Sequence, residues 1–354
     1  MIPSIRDLFF PEKRVVGIDI GSHTLKLVEI SDSPEGFLLS CIGQVPVEPG
    51  VIEDGLVRKP DILGKKLKEL FKVSRSSVRN VVTALSGHTV VVKKTGFRHM
   101  DDEELRELIT DEAGEYLPFD DSSAINFDCH ILGENPMNQD QMDVIIAAAK
   151  KDVIKNYKDP IEKTGCKIVI MDVDTFALET AYAENYDFDD NDVVALLNIG
   201  ASLTNINVVR GEESLFSRNI LMGGNAITQA MAGERGISFE EAEMMKVAES
   251  EGGNGVQLLM HAEPIFQEIE RTIDFFGMEL GGVDIGRVIF SGGCARIPGI
   301  TDQLSMRLRS EVEAFNPFQK IIVDEKTFSR AYLETIGPVA ALCVGLALRR
   351  IDEI

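Results

Sequence analysis

Two short segments of the chain combine glycine with serine and threonine in a similar pattern, and the first of them also carries charged residues. Residues 19–26 read DIGSHTLK and residues 198–205 read NIGASLTN, and each begins at the end of an apolar run. Glycine lets backbone amides approach a ligand closely, and successive amides in a turn form an anion-binding nest. The serine and threonine hydroxyls and the Lys26 ammonium add donors and positive charge for a phosphate chain. Either segment alone fits an ordinary hairpin turn, but the repetition favours two phosphate-binding turns facing each other across a cleft.

A third segment, residues 291–296 (SGGCAR), lies where a predicted strand passes into a loop. Two adjacent glycines allow the backbone to lie flat against a ligand, although an isolated Gly-Gly pair is more typical of a simple turn. Cys294 is interpreted as a small buried residue rather than a nucleophile, because no neighbouring feature of the sequence would lower the pKa of its thiol. Asp19, at the end of an apolar strand, could hold a hydrated Mg²⁺.

The composition limits the class of protein. The chain has 354 residues and a net charge of −22, which argues against non-specific nucleic-acid binding. Its 44% hydrophobic residues supply a sizeable core, and its five cysteines contain no CxxC pair, so a disulfide scaffold or zinc cluster is not expected. Residues 1–14 lack the apolar core of a signal peptide. The apolar run at 336–348 is short for a membrane span, so it predicts a buried helix in a soluble, cytoplasmic protein.

The chain is organised as two halves built on one supersecondary pattern. Strands are predicted over 15–20 and 25–30 in the first half, and over 193–199 and 204–210 in the second. The acidic run at 187–192 is typical of a solvated loop and separates the halves. This repetition predicts a two-lobed α/β protein with a cleft between its lobes.

Hydrophobic periodicity predicts the remaining elements. Further strands are predicted over 80–84, 89–93, 144–149, 167–173, 287–291 and 321–323. Helices are predicted over 61–71, 101–116, 152–163, 175–186, 238–249, 264–278, 298–312 and 336–350. Asp101 and Ser238, each followed by Glu three residues later, have the spacing of a helix-capping box.

Three glycine turns in this order, each after a strand, resemble the nucleotide-binding motifs of the actin-like ATPase superfamily, which includes sugar kinases, chaperone ATPases, actin and FtsA. Longer stretches resemble the PilM family of cytoplasmic type IV pilus assembly proteins, namely VVGIDIGSHTLKLVEI, MDVDTFALETAYAENY, LLNIGASLTNINVV, FSRNILMGGNAITQAMA, ISFEEAEMMK, IERTIDFF and VIFSGGCARIPGI. The resemblance implies a two-lobed actin-like ATPase fold of duplicated ribonuclease-H-like lobes, with an FtsA-type small subdomain inserted in the first lobe. On this basis the first lobe core comprises 11–86, 165–190 and 336–352, the inserted subdomain 87–164, the second lobe core 191–236 and 285–335, and its small subdomain 237–284.

The resemblance also implies roles for individual residues. Phosphate contacts are expected from Gly21, Ser22, His23, Thr24 and Lys26 in the first turn, and from Gly200, Ala201, Ser202 and Thr204 in the second. Gly223 and Gly224 match a glycine pair ahead of a helix N-terminus, another phosphate-facing feature. Contacts to adenosine are expected from Glu243, Lys246, Gly292, Gly293 and Arg296. Glu243 and Lys246 also fit an exposed salt bridge on a helix.

One position departs from the hydrolytic members of the superfamily. Those proteins carry an acidic residue in the second turn, where it helps to place Mg²⁺ and the attacking water. This chain has Asn198 there, which is uncharged and a poor base. Asp172 or Asp174 could orient water instead, or could cap a loop or helix. The expectation is therefore binding of ATP or ADP with Mg²⁺ organised by Asp19, and at most slow hydrolysis.

Partners are also implied by the resemblance. PilM proteins bind the cytoplasmic N-terminal tail of the inner-membrane protein PilN in a groove between the first lobe and the insert, and the acidic helix over 101–116 is a candidate wall of that groove. The chain would then lie at the inner face of the inner membrane through its partners. Other pilus platform and motor components, and a second copy of the chain, are further candidate partners. A sugar-kinase-like phosphotransferase and an FtsA-like filament-forming division protein are the alternative functions.

A basic segment stands out against the acidic background. Residues 58–79 hold eight basic and two acidic residues. Such a run is typical of a solvated helix face. The alternative is a docking surface for an acidic partner or for membrane headgroups.

Overall fold

The chain folds around two five-stranded sheets of matching topology. We describe a computed structural model, which covers residues 14–119, 122–135, 138–211, 213–279 and 283–350. Its strands are β1 Val16–Ile20, β2 Thr24–Ser33, β3 Gly36–Pro46, β4 Ile52–Glu53, β5 Leu56–Val57, β6 Asn80–Leu85, β7 Val90–Arg98, β8 Ile125–Glu134, β9 Gln141–Lys150, β10 Lys167–Val173, β11 Val193–Ile199, β12 Thr204–Arg210, β13 Glu213–Ile220, β14 Arg287–Ser291 and β15 Glu311–Ala314. Its helices are α1 Pro60–Ser74, α2 Asp102–Asp111, α3 Ala113–Tyr116, α4 Lys151–Glu162, α5 Asp174–Asn185, α6 Gly224–Arg235, α7 Phe239–Glu251, α8 Val256–His261, α9 Glu263–Glu279, α10 Ile300–Leu308 and α11 Arg330–Leu348.

Each sheet is an antiparallel three-stranded meander extended on one side by two parallel strands. The first has the order β10-β6-β1-β2-β3 and the second β15-β14-β11-β12-β13. In the leading hairpins Ile20 pairs with Leu25 and Ile199 pairs with Thr204, so the two turns leave their strands at equivalent places. The predicted repetition of one supersecondary unit is confirmed.

The helices form layers on both sides of the sheets. On the outer face of the first sheet, α1 and α4 bury side chains such as Leu67 and Tyr157 against β1 and β6. On the outer face of the second sheet, α6, α8, α9 and α10 bury residues such as Phe266 and Leu304. Helices α5 and α11 lie between the sheets, where Tyr182 packs in one cluster with residues of β11 and β14.

Helix α11 is packed unusually closely against its neighbours. A Cβ added at Gly17 of β1 would lie 2.4 Å from the Cys343 carbonyl oxygen, and a Cβ added at Gly345 would lie 1.7 Å from the Ala177 carbonyl oxygen in α5. Within the described ranges α11 is the one helix long and apolar enough to cross a membrane, but 67% of its most apolar window is buried in the fold. The predicted buried helix is confirmed, and it begins earlier than predicted, at Arg330.

A third, smaller sheet of order β7-β9-β8 follows β6 in the first lobe. Helix α2 covers one face of this sheet, and Leu105, Ile109 and Ile146 form part of a core separate from that of the lobe. Helix α4 packs into the first-lobe core instead, through Val153 and Tyr157. The separate core therefore ends with β9, before the predicted insert boundary at residue 164.

Several differences from the predicted elements fall at sheet edges. The sequence pattern did not predict β3, β8 or β13, each of which is an edge strand. Edge strands often carry polar and charged side chains that discourage pairing with another chain, and these residues weaken the apolar pattern of a strand. The helix predicted over 298–312 is wrong at its end, because Arg309 adopts a left-handed conformation (φ 55°) and the chain continues as edge strand β15. The helix predicted over 101–116 is divided at Glu112, and the strand predicted over 321–323 forms a single bridge to Leu38.

Two capping predictions are confirmed to different extents. The Ser238 hydroxyl accepts from the Glu241 amide and the Glu241 carboxylate accepts from the Ser238 amide, which is the complete capping box of α7. Asp101 caps α2 by accepting a hydrogen bond from the Glu104 amide, 2.9 Å away.

We predict that Gly345→Ala destabilises the protein by about 3 kcal/mol or more, because the added methyl group overlaps the backbone of α5 and forces two packed helices apart. Urea denaturation monitored by circular dichroism measures the loss. Gly233→Ala is the matched control, since it lies near the end of α6 with no atom within 4 Å of the added Cβ. It should leave stability unchanged or raise it by roughly 0.5–1 kcal/mol. Equal effects of the two substitutions would contradict the packing role of Gly345.

Candidate functional site

A cavity of about 740 Å³ opens between the two lobes. All three glycine turns line it, together with the helices α7 and α11. Of the residues predicted to bind a ligand or to catalyse, the cavity is lined by Asp19, Gly21, Ser22, His23, Thr24, Lys26, Asp174, Gly200, Ala201, Ser202, Gly224, Glu243, Lys246, Gly292, Gly293 and Arg296. Side chains far apart in the sequence therefore converge on one space.

The first turn places an ion pair at the cavity wall. Lys26 Nζ lies 2.8 Å from Asp19 Oδ2, and the two residues face each other on neighbouring strands because β1 pairs Asp19 with Lys26. Both side chains are only about one-tenth exposed, Asp19 at 12% and Lys26 at 11%. A Cβ at Gly21 would lie 2.9 Å from the Thr24 carbonyl oxygen, so the tightness of this turn requires glycine.

The second turn touches the first across the cleft. Ser22 Oγ and Ser202 Oγ are 2.8 Å apart and share a hydrogen bond. The Asn225 side-chain amide also donates to Ser202 Oγ, at 3.2 Å. Two hydroxyls that the sequence predicts as phosphate ligands therefore satisfy each other here, and a phosphate group entering between the turns would replace their mutual hydrogen bond.

The second turn also contacts the segment that leads into β7 of the small third sheet. Gly87, which precedes β7, has a positive φ of 62°, and a Cβ there would lie 2.9 Å from the Leu203 side chain. The Asn219 side-chain amide, on β13, donates to the Gly87 carbonyl oxygen at 3.2 Å. Lys94 of β7 forms an ion pair of 3.2 Å with Glu213. The insert is thus held by the second-lobe hairpin at its first residue and again along β7.

The third turn requires glycine at its first position. Gly292 has a φ of 95°, and a Cβ there would lie 2.3 Å from the Ile199 carbonyl oxygen. Its amide donates to the Pro338 carbonyl oxygen of α11 at 2.9 Å, which ties the turn to the layer between the sheets. Burial raises the pKa of the Cys294 thiol to about 11, so the thiol stays protonated, as expected of a buried filler.

Glu243 and Lys246 form a partly buried network rather than an exposed salt bridge. Their charged atoms are 2.6 Å apart and both side chains are about 15% exposed. Lys246 also donates to Thr228 Oγ1 at 2.8 Å and to the Gly224 carbonyl oxygen at 3.2 Å. Burial opposes ionisation of Glu243, but Lys246 and Thr228 hold its pKa below the ordinary value. His23 of the first lobe lies 3.8 Å from Glu243, and burial lowers the His23 pKa.

The start of α6 is occupied by the second turn. The Gly224 amide donates to the Gly200 carbonyl oxygen at 2.9 Å, and the Asn225 amide donates to the Ala201 carbonyl oxygen at 2.8 Å. A Cβ at Gly223 would lie 2.5 Å from the same Gly200 oxygen. The glycine pair therefore allows the helix to seat against the turn, and these two amides are not directed at the cavity.

Asp174 is a buried carboxyl at the cavity wall. It is 3% exposed, and it accepts hydrogen bonds from the Thr175 amide at 2.8 Å and the Asn205 side-chain amide at 2.9 Å. Burial raises the Asp174 pKa to about 7, although these hydrogen bonds oppose the change. Since Asn205 belongs to β12, this contact joins α5 to the second sheet.

Three predicted residues do not line the cavity. Asp172 forms an ion pair with Arg349, whose Nε lies 2.6 Å from its carboxylate. Thr204 is fully buried and donates to the Met222 carbonyl oxygen at 2.7 Å. Gly223 lies behind the second turn. These residues support neighbouring backbone and side chains instead of facing the cavity.

Several lining residues were not predicted from the sequence. They include Gln44, Ser86, Val247, Ser250, Glu251, Ile297, Glu334, Thr335 and Pro338. Most of them belong to α7 and α11, and no local signal distinguishes these, because they come close to the turns only when the two helices pack beside them.

Comparison with known proteins places the chain among characterised relatives. The family model described as type IV pilus assembly protein PilM matches residues 17–351. The solved structure of a PilM-PilN type IV pilus biogenesis complex is 30% identical, with a TM-score of 0.83 over 96% of this chain and 99% of that chain.

More distant relatives share the fold. The structure of ethanolamine utilization protein EutJ from Carboxydothermus hydrogenoformans is 17% identical, with a TM-score of 0.57 over 96% of this chain and 90% of that chain. The EutJ protein of Escherichia coli (strain K12) is 29% identical over 123 residues, which span 35% of this chain and 40% of that relative's length. Together with the matching lobes, the likeness to the PilM-PilN structure over 96% of this chain confirms the predicted two-lobed actin-like ATPase fold.

We predict that Asp174 makes stability depend on pH. Its folded pKa of about 7 lies above its ordinary value of 3.8, so the folded state holds the proton more tightly than the unfolded state. Between these two pH values the free energy of unfolding should fall as pH rises, and above pH 7 this contribution should be constant. Asp174→Asn should remove up to about 4 kcal/mol of that decline.

Urea denaturation of both proteins from about pH 4 to 8 measures this difference. Asp189→Asn, in the exposed acidic loop, is the control and should follow the wild-type profile. If Asp174→Asn and the wild type keep a constant stability difference across this range, the buried carboxyl is not the titrating group.

Proposed function

This chain belongs to the PilM family of type IV pilus assembly proteins, and from that premise we propose that it binds ATP or ADP between its lobes and captures the cytoplasmic N-terminal tail of a PilN-type membrane protein. As part of the pilus inner-membrane platform it would lie at the inner face of the inner membrane. The observation that supports nucleotide binding is the convergence of all three glycine turns on one cavity. Its volume of about 740 Å³ is within the range of small-molecule sites.

The charges in the cavity suit a phosphate chain. Lys26 and Lys246 supply the cations, and each is already paired with a carboxylate, of Asp19 and Glu243 respectively. Ser22 and Ser202 add hydroxyl donors from opposite lobes. A triphosphate held between the turns would thus be contacted from both lobes, and it would favour the closed arrangement over an open one.

Magnesium is expected to enter with the nucleotide rather than to occupy a preformed protein site. Among the residues that the structure describes, no group of three or more metal-ligating side chains is found. Mg²⁺ commonly keeps its waters and is held by one or two carboxylates together with phosphate oxygens. Asp19, at the end of β1 in the cavity wall, suits this arrangement through water.

Hydrolysis is proposed to be slow or absent. The second turn presents Asn198, whose side-chain amide lies 3.5 Å from the Asn205 side-chain oxygen, where an acidic residue would place a metal and water. Of the two acids predicted to orient water, Asp174 is the one at the cavity wall, and its pKa of about 7 leaves it partly neutral at physiological pH. Asp172 is engaged by Arg349 and is not proposed to act on the ligand.

The tail of the partner is proposed to bind where the insert meets the first lobe. A second cavity of about 450 Å³ lies on the insert, beside the start of α4, the helix that packs into the first-lobe core. Its walls come from α2, α3, β8, the turn before β8 and the first residue of α4, and are formed by Thr110, Ala113, Ser123, Ile125, Asn126, Phe127 and Lys151. The acidic helix expected to be a wall of the groove therefore does border a cavity, through Thr110.

We predict that the protein binds ATP and that Lys26→Gln weakens binding by about 10- to 100-fold, since a hydrogen bond to a charged group contributes roughly 1.5–3 kcal/mol. Isothermal titration with ATP and Mg²⁺ measures the affinity. Lys94→Gln is the control, because Lys94 is a cation outside the cavity. Wild-type affinity in Lys26→Gln would remove this lysine from the site, and absence of ATP and ADP binding by the wild type would overturn the nucleotide proposal.

We predict that a fluorescent peptide with the sequence of the PilN cytoplasmic tail binds the full chain, and that Thr110→Arg weakens binding at least tenfold by filling the second cavity. Fluorescence polarisation measures the affinity. Glu107→Arg is a stringent control, since it changes the charge by more but lies one turn away on the same exposed helix, outside the cavity. Equal losses would indicate a charge effect, and no binding with or without ATP would overturn the tail proposal.

A further inference from the structure

We propose that the exposed face of helix α1 is a contact surface for an anionic lipid membrane, and that it sets which side of the protein faces the bilayer. The inference rests on the proposed function in one respect, that the partner brings the chain to a membrane. It concerns a surface outside both cavities, because no residue of α1 lines either of them.

The basic residues of α1 form one stripe. Lys65, Lys68 and Lys72 recur at intervals of three and four residues, which places them on the same side of the helix. All three side chains are exposed. The opposite side of α1 is buried through Leu63, Leu67 and other apolar residues in the first-lobe core. The helix is therefore fixed in rotation, and the lysines must point to solvent.

The acidic residues of the helix do not neutralise this stripe. Asp61 is paired with Lys163 at 3.2 Å, and Glu69 is paired with Lys66 at 3.4 Å. Across the described part of the chain, Lys65, Lys68 and Lys72 form no salt bridge. Each acid on α1 thus has a different lysine as its partner, and the three exposed lysines keep their full charge.

Helix α4 lies beside α1 and adds one more lysine that is unpaired among the described residues. Asp61, at the start of α1, pairs with Lys163, just after the end of α4. Gly64, one turn later in α1, packs against Pro160, one turn earlier in α4, so the two helices run antiparallel side by side. Lys155 of α4 is also exposed and forms no salt bridge with any described residue. Because α4 also exposes Asp152 and Glu162, the positive charge is concentrated on α1, and Lys155 adds to it from the neighbouring helix.

The net charge of −22 does not prevent contact with an anionic surface. Fixed charges more than about 10 Å from a contact are largely screened at physiological ionic strength, so the local patch decides the interaction. The acidic residues of α2 are exposed on the separate insert. The segment 58–79 itself holds eight basic and two acidic residues, so a membrane approached by α1 would meet mainly positive charge.

The shape of the surface favours lipid over other polyanions. The stripe lies on the outside of a helix with neither cavity beneath it, which suits a flat, fluid array of headgroups rather than one small anion. Val73 is 54% exposed beside the last lysine and offers an apolar side chain to the interface. A few lysines alone bind a membrane weakly, but a protein already tethered through a partner has a high effective concentration at the bilayer.

The test is sedimentation of the full chain with vesicles, without nucleotide or partner. Phosphatidylcholine vesicles are compared with vesicles containing about one-third phosphatidylglycerol, at about 0.05 M and about 0.5 M salt. We expect binding only to the anionic vesicles at low salt. The triple variant Lys65→Gln, Lys68→Gln, Lys72→Gln should lower the partition coefficient by at least about tenfold.

A matched control removes three exposed positive charges from the second lobe and the loop before α11. It combines Arg218→Gln, Arg309→Gln and Lys326→Gln, and should bind vesicles as the wild type does. Equal binding by the α1 variant and the wild type, or equal losses in both triple variants, would overturn the proposal. So would wild-type binding to soluble polyglutamate but not to anionic vesicles, which would indicate an acidic protein partner. Because no tail or nucleotide is present, these results are independent of the ATP and tail experiments.

Discussion

The close approach of α11 to both β1 and α5 is the constraint on which the rest of the structure depends. It is possible only because Gly17 and Gly345 have no side chain. A helix at ordinary distance would separate the sheets, whereas here α11 fills the space between them and accepts the Gly292 amide at Pro338. The same helix contributes Thr335 to the cavity wall. The geometry of the cleft is therefore set largely by packing in the layer between the sheets.

Local sequence could predict the parts of the site that are local. The turns at 19–26 and 198–205 follow apolar strands and contain their own donors, so the sequence predicts both their position and their duplication. The burial of the Glu243–Lys246 pair could not be predicted, because the same spacing occurs on exposed helices and only packing beside α6 encloses the pair. The same limit explains why edge strand β13 was not predicted. It also explains why Asp172 could not be distinguished from Asp174, two residues later: the partner of Asp172, Arg349, lies near the other end of the chain.

The cleft and the exposed face of α1 treat positive charge in opposite ways: lysines are paired with acids in the cleft, and the exposed lysines of α1 are unpaired within the described part of the chain. Inside the cleft each lysine has an acidic neighbour, so the charge of each lysine is in balance locally, and an anionic ligand must compete with Asp19 and Glu243. Such a balance avoids burying unpaired charge. On α1, by contrast, the acids are paired with other lysines. Among the described residues, Lys65, Lys68 and Lys72 are left unpaired in water, where an unpaired cation costs little free energy.

The contact of Gly87 with Leu203 and Asn219 has a thermodynamic consequence. Leu203 belongs to the second turn, whereas Gly87 is the residue from which the inserted sheet departs. If a ligand that displaces this turn also shifts the insert, the two cavities are linked, and the linkage must be reciprocal: a peptide held at the insert changes nucleotide affinity by the same factor as nucleotide changes peptide affinity. In such a protein the partner regulates the nucleotide as much as the nucleotide regulates the partner, and turnover is not needed for either to report on the other.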